Sequence, residues 1–522
     1  MHFTRNARKA DTTPIVIKGQ SVEPKEHTKI LGVIMDARLK FQQHIPEAAS
    51  KAMEAAMELK RLRGLSARTA RQLFAVTVTP VVDYASNVWM HAYKDKLMGQ
   101  INRVQRAGAQ AIVGTFMTVA TSVAEAEAHI VSARERFWKR AIKMWIAVHT
   151  LPGTNPLSRI TKRIKKFYTR FRSPLHQVAE RLKGLPLWQM ETITPVLVEP
   201  WRARLKTVMD KPADEVCAGW TLAVAVSSSA RNGMVVVGGV IHSRNMERSQ
   251  SEQKVFSFTL GPRAEQNPFS GELAAIAYAL RKLPDSNRQN IAVFSRNKGV
   301  VAALSRPCQQ SGQGFITCIY DSVEKLVGKE NIVSVGWDSP SKNKLLQAAK
   351  RQAKVATQQG AVPEVPFPVM KSTTLNNERR NLRSERCIPE GVGRFSKKID
   401  VALPGSHTRE IYEEWSWRQR STLAQLRTDM AKLNGYLHRI KAVPSEQCAC
   451  GQAKETVKHF LLQCPQWDEQ RKELRACTST RWNDLSYRLG GKSASDGPKW
   501  KPNMGAIRAT IQFTLATGRF DN

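Results

Sequence analysis

Leu222-Ala-Val-Ala-Val-Ser-Ser-Ser-Ala-Arg231-Asn232-Gly233-Met234-Val-Val-Val-Gly-Gly-Val-Ile241 sets two apolar, β-branched runs on either side of a turn. Arg231-Asn232-Gly233 reads as that turn, because Asn and Gly tolerate the left-handed backbone that a tight hairpin needs. A third run, Val255 to Leu260, follows the Glu247 to Glu252 loop, so three antiparallel strands are expected. Beyond it the pattern alternates. A helix over Gly271 to Leu283 precedes a strand over Ile291 to Phe294 and helices over Gly299 to Leu304 and Ile316 to Val327. A strand over Ile332 to Trp337 and a helix over Lys344 to Thr357 complete it. Three strands and then alternating helix and strand predict a mixed five-stranded sheet with flanking helices, an α/β domain over 217–360.

Upstream, Thr13 to Ile45 alternates apolar and polar residues and predicts short strands about a turn at Gly32. Ala52, Ala55, Leu59 and Leu62 then recur at helical spacing, and Ser66 is placed to cap a second helix. Further helices are expected over Lys96 to Val113 and Thr121 to His149. Next comes a stretch without acids: Arg159, Lys162, Arg163, Lys165, Lys166, Phe167, Tyr168, Arg170, Phe171, Arg172. Such residues can neutralise phosphates and stack on bases, or form a solvated linker whose aromatics dock on the preceding helices. Downstream, Gly360 to Gly405 reads as an extended basic linker. One long amphipathic helix is expected from Arg409 to Leu433, with Trp415, Leu423, Leu426 and Met430 on a stripe and Gly435 as its stop. The tail beyond Gly490 shows no pattern.

The chain has 522 residues, 42% of them hydrophobic, enough for two to four domains. Its formal net charge of +37 attracts polyanions, of which nucleic acid is the commonest. No apolar run approaches the roughly 20 residues needed to span a bilayer, and Met1-His2-Phe3-Thr4-Arg5 does not open a signal peptide. A nuclear or cytoplasmic protein is expected, although the acid-free first nine residues keep a mitochondrial presequence open. Of eight cysteines, Cys217, Cys308, Cys318, Cys387 and Cys477 lack motif spacing, which argues against a disulfide scaffold. The rest form Cys448-Ala-Cys450-Gly451, followed by His459 and Cys464. Three thiolates and an imidazole suit tetrahedral zinc and leave no open position, so the ion expected at Cys448, Cys450, His459 and Cys464 is structural.

Several of these stretches resemble the reverse transcriptases of non-LTR retrotransposons, those of fungal elements most of all. Lys29-Ile30-Leu31-Gly32-Val33-Ile34-Met35-Asp36, with Leu39, Phe41 and His44, resembles the end of their palm. Pro80-Val81-Val82-Asp83-Tyr84-Ala85-Ser86-Asn87-Val88-Trp89 and Asn102-Arg103-Val104-Gln105-Arg106 are similar to their thumb. The α/β region resembles the ribonuclease H domain of such polyproteins, and the Cys/His motif their C-terminal zinc element. The resemblance implies a multidomain α and α/β protein. Its parts would be the palm end over 1–45, a helical thumb over 46–158 and a basic connection over 159–216. A ribonuclease H-like domain over 217–360, a basic linker over 361–408, a helix plus zinc element over 409–480 and a tail over 481–522 would follow.

The family's chemistry is RNA-directed DNA polymerisation and hydrolysis of RNA in RNA:DNA hybrids, and two departures bear on it. The polymerase Tyr-x-Asp-Asp box lies upstream of the Lys-x-Leu-Gly segment, here Lys29 to Gly32, and is expected to fall before the start of this chain. Ribonuclease H needs four carboxylates around two divalent ions about 4 Å apart. Of these only Glu272 is kept, in Asn267-Pro268-Phe269-Ser270-Gly271-Glu272-Leu273; Ser227, Arg296 and Gln347 stand at the other three positions. Arg296, always protonated, would pair with Glu272. Asp338 is either a replacement ligand or an exposed loop residue. The expectation is a protein that binds RNA, DNA or their hybrid, holds structural Zn2+, does not bind the Mg2+ of the family and lacks catalysis. An active ribonuclease H, or a fragment of a larger reverse transcriptase working with a full-length retroelement protein, is the alternative.

Overall fold

The computed structural model describes residue 3 and residues 13–92, 95–159, 174–194, 205–209, 219–244, 251–339, 343–356, 366–478 and 481–521. Cys217 and the expected nucleic-acid contacts Lys162, Arg163, Lys165, Lys166, Phe167, Tyr168, Arg170, Phe171 and Arg172 lie outside the described residues; Arg159 lies within them and is exposed. The chain divides into two compact units. One is built from residues 1–140 together with 382–522, the other from residues 141–381. No described helix is long and apolar enough to cross a membrane.

The two-segment unit opens with two small antiparallel ribbons. Strand β1 (Ile15–Ile17) pairs with β2 (Gln20–Val22), and β3 (His27–Ile30) pairs with β4 (Val33–Asp36). The turn between β3 and β4 uses Leu31 and Gly32, both at positive φ. Helix His44–Arg61 follows, and then Ala67–Leu73, whose Ser66 cap accepts the Thr69 N–H at 3.0 Å. The expected helix over Thr121 to His149 is two helices, Thr121–Glu127 and Ala133–His149, because His129 takes a positive φ between them. Trp89 and Phe137 meet edge to face in the core at 4.9 Å.

The stretch from residue 366 onward corrects three expectations, and from residue 382 it belongs to this unit. The described part of the expected linker over 361–408 is not extended, since helices Lys371–Ser384 and Arg394–Ile399 lie within it. The single helix over Arg409 to Leu433 is broken into His407–Ile411 and Trp417–Thr428. Ser416 and Gln419 form a capping box at the start of the second piece, and Asp429, at φ 57°, ends it. Gly435 therefore does not stop that helix; it lies inside Asn434–Arg439. The tail is ordered as well. Helix Met504–Ala516 starts on an Asn503 cap and buries Ile507, Ile511 and Phe513.

Arg427 is the polar centre of this segment. It is fully buried and gives Nε to Glu127 at 2.7 Å and Nη2 to Asp400 at 2.6 Å. The Tyr412 hydroxyl donates to the same Glu127 at 2.7 Å. Asp400 also meets His407 Nε2 at 2.7 Å. A buried guanidinium between two carboxylates recovers its desolvation cost only while both remain.

The unit of residues 141–381 carries a six-stranded sheet, not a five-stranded one. Strand β5 (Lys206–Val208) is followed by β6 (Leu222–Arg231), β7 (Met234–Arg244), β8 (Ser251–Pro262), β9 (Asn290–Ser295) and β10 (Ile332–Trp337). The spatial order is β5-β10-β9-β6-β7-β8. Strands β5, β10, β9 and β6 run parallel, and β6-β7-β8 is an antiparallel meander. The additional strand comes from the stretch expected to be a basic connection. The β6–β7 turn puts Asn232 and Gly233 at positive φ, as the sequence predicts.

Side-chain alternation gives the sheet two dry faces. Val224, Val226 and Val237 pack beneath helix Pro268–Arg281. Ala223, Ala225, Val240 and Phe294 pack against Leu346 and Ala349 of helix Lys344–Val355. Gly238 lets that second helix approach, since a Cβ there would stand 2.3 Å from the Ala353 backbone nitrogen.

Candidate metal centre

Cys448 and Cys450 sit on a tight hairpin closed by an antiparallel bridge between Gln447 and Lys454. The Cys448 N–H donates to Ala453 O and the Gly451 N–H to Cys448 O, both at 2.9 Å. Gly451 takes φ +73°, the left-handed turn that a glycine enters without strain. His459 begins a π-helical turn, His459–Gln463, and the Cys464 N–H closes it onto His459 O at 2.8 Å. The four side chains thus converge from a hairpin and a wide helical turn. Their ligand atoms all lie within 4.8 Å of one another, the one such group of three or more His, Cys, Asp or Glu among the described residues.

The distances fit a tetrahedron. Cys448 Sγ and Cys464 Sγ are 3.6 Å apart, and Cys450 Sγ and His459 Nε2 are 3.3 Å apart. Zinc–sulfur bonds of about 2.3 Å place two tetrahedral thiolates roughly 3.8 Å apart, so the donor set suits zinc with little movement. Burial pushes the Cys464 thiol up to about 12 and raises that of Cys448. The Gln452 N–H, bonded to Cys450 Sγ, lowers that thiol, and burial lowers the imidazole of His459. Buried thiols of this kind stay protonated until a cation takes the protons' place. With four protein donors the zinc would lack an open position, so its chemistry is structural.

Surrounding residues fix the ligands. Arg471, wholly buried, donates to Phe460 O and Leu461 O at 3.1 Å and to Cys464 O at 2.7 Å, which satisfies carbonyls of the His459 turn. Glu455 is held by Arg519 through two bonds of 2.8 Å. Phe460 packs on Phe513 and Phe520. The C-terminal stretch therefore forms the wall of the metal site.

The second group of interest lies at the adjacent ends of β6 and β9. Glu272, in helix Pro268–Arg281, is 3% exposed. Its Oε2 accepts the Ser295 hydroxyl at 2.5 Å, and Ser295 Oγ in turn accepts the Asn297 N–H at 3.1 Å; Ser228 Oγ stands 3.5 Å from Oε1 and donates to Pro268 O at 2.9 Å. Burial outweighs these donors and raises the carboxyl to about 7. Arg296 acts on Glu272 through its charge, which lowers the pKa, and the expected direct ion pair is not formed.

The sequence-predicted neighbours distribute unevenly. Ser227 falls on the opposite sheet face from Ser228, and its Oγ is buried without a hydrogen-bond partner. The β6 residue that reaches Glu272 is Ser228. Gln347 is exposed on helix Lys344–Val355. Asp338 is not an exposed loop residue. It is 7% exposed, and its carboxylate accepts the Ser339 N–H at 2.6 Å and Asn343 Nδ2 at 3.2 Å. Ser228 and Ser295 were missed as neighbours of Glu272; the phase of alternation along β6 was the signal for the first of them.

No family model matches the chain, and no curated protein matches it. Among solved structures, the native prototype foamy virus protease-reverse transcriptase matches at 12% identity with a TM-score of 0.22, over 46% of this chain and 35% of that one. The match thus spans about a third of that protein, and so slight a likeness assigns neither fold nor function.

Proposed function

We propose that this protein binds nucleic acid, as a non-catalytic relative of the non-LTR reverse transcriptases with a ribonuclease H-like unit and a structural zinc element. The observation that carries the reading is the Glu272 pocket. Two divalent ions need several carboxylates around them, and here one buried carboxyl is bonded by the Ser295 hydroxyl with Ser228 Oγ 3.5 Å away. With catalysis unsupported, the formal charge of +37 favours a polyanionic partner. Arg159 to Arg172 remains a proposed contact segment. Filter binding of labelled RNA, DNA and RNA:DNA hybrid across a salt series tests the reading. Affinity is expected to fall steeply with salt; no binding at low salt would overturn it.

The second reading is an active ribonuclease H, alone or beside a full-length retroelement protein that brings the palm. The buried position of Asp338, whose N–H bonds Ser295 O at 3.1 Å, favours it. Incubation with labelled hybrid and Mg2+ or Mn2+ decides between the two. Cleavage abolished by Glu272→Gln would establish the enzyme and end the first reading.

A further inference from the structure

Helix Lys344–Val355 carries Lys344, Lys350, Arg351 and Lys354 and no acidic residue. Among the described residues none of the four forms an ion pair. Exposed cations elsewhere in the same unit do pair: Lys254 with Glu252, Arg288 with Glu330, Lys329 with Asp285. The helix's buried side, Leu346, Ala349 and Ala353, is fixed against the sheet, and Leu345 and Ala348 pack against the same cluster, which leaves the opposite side to solvent. At about 100° per residue the four cations fall within a sector of about 120°. Leu345, Ala348, Gln352 and Val355 take the other flank. The charges form one unpaired stripe on the solvent side.

The stripe leads to the Glu272 pocket. Asn343 caps the helix and bonds Asp338, whose N–H bonds Ser295 O, and Ser295 holds Glu272. On the same strand ends Lys298 lies over the Trp337 ring at 4.1 Å, and Trp337 Nε1 bonds Arg296 O. From Lys344 to Lys354 the stripe is about 15 Å long, the rise of roughly four nucleotides at 3.4 Å each. It has no aromatic on which a base could stack, so it suits a phosphate backbone whose bases are already paired.

We propose that Lys344, Lys350, Arg351 and Lys354 form a track for the phosphate backbone of one strand of a nucleic-acid duplex, continued by Arg296 and Lys298 past the Glu272 pocket. This rests on the nucleic-acid-binding reading above and names the surface that performs it. The test uses the full chain and a short labelled RNA:DNA hybrid, titrated over a salt series. The triple variant Lys344→Ala, Arg351→Ala, Lys354→Ala is expected to reduce the slope of log affinity against log salt by up to about 2.7, at about 0.9 per phosphate contact. A control of equal charge loss in the same unit, Lys282→Ala, Arg288→Ala, Lys325→Ala, is expected to leave the slope within about one contact of the parent. Thermal unfolding of both variants checks that each is folded. Equal losses in the two variants, or no loss in the first while the parent binds, would overturn the track and leave the binding reading intact. A loss seen with single-stranded RNA but absent with the hybrid would overturn it too. A parent chain that binds nothing at low salt would overturn both.

Discussion

Glu272 is where a single substitution tests the burial of a carboxyl without an activity assay. Its carboxyl rises from an ordinary 4.5 to about 7 on burial, so the folded state holds the proton more tightly than the unfolded one. The stability this contributes is complete below pH 4.5 and is lost as pH rises through 7, a loss of up to about 3 kcal/mol. Glu272→Gln removes the titration. Urea midpoints should therefore show the variant gaining on the parent from pH 5 to pH 8, and a pH-independent margin would contradict the assignment. At the zinc site, Cys464→Ala should abolish a stoichiometric zinc and lower the thermal midpoint, and a chelator should lower that of the parent; metal analysis and calorimetry check both. The zinc ligands were legible in the sequence because all four lie between 448 and 464 and their soft chemistry admits few other readings. Ser228 was not legible, since a shift of one residue in the phase of β6 exchanges it with Ser227. Neither was the burial of Asp338, which depends on Asn343 reaching back to it.

Strands and helices were readable to the extent that they bury apolar residues at a regular period. The β6–β7 hairpin is read correctly because its turn chemistry and both of its apolar runs agree. Strand β5 has three residues, too few for any period to show. Helix Lys371–Ser384 was mistaken for linker because what it buries includes Thr373, Thr374 and Glu378, which give no hydrophobic signal. Trp417–Thr428 likewise buries Arg420, Arg427, Thr422 and Gln425. Packing of sheet on helix gives the prediction at this scale. Gly238→Ala forces a methyl group onto the backbone of Ala353 and Ala349, and overpacking of this kind costs about 1–3 kcal/mol. A lowered urea midpoint with an unchanged m-value is expected; an unchanged midpoint would show that helix Lys344–Val355 does not lie where described.

At the scale of the molecule, what the sequence concealed is that 382–522 completes the unit begun by 1–140. No local pattern links Glu127 to Arg427, 300 residues apart, yet both are fully buried and bonded. Arg427→Met would strand two buried carboxylates, Glu127 and Asp400, at a cost of about 3–5 kcal/mol. Chemical denaturation should show that loss. Adding Glu127→Gln and Asp400→Asn should recover part of it, and no recovery would mean that Arg427 acts through packing alone.

The same division sets a schedule for the ribosome. Residues 1–140 leave it long before the partners that bury them, because all of 141–381 must be translated in between. At roughly 5–20 residues per second that interval lasts some tens of seconds. Throughout it the faces later covered by the C-terminal helices stand open to water and to one another's copies. A nascent chain of this design is open to self-association during that interval, while the inserted unit, contiguous in sequence, can close as soon as it emerges.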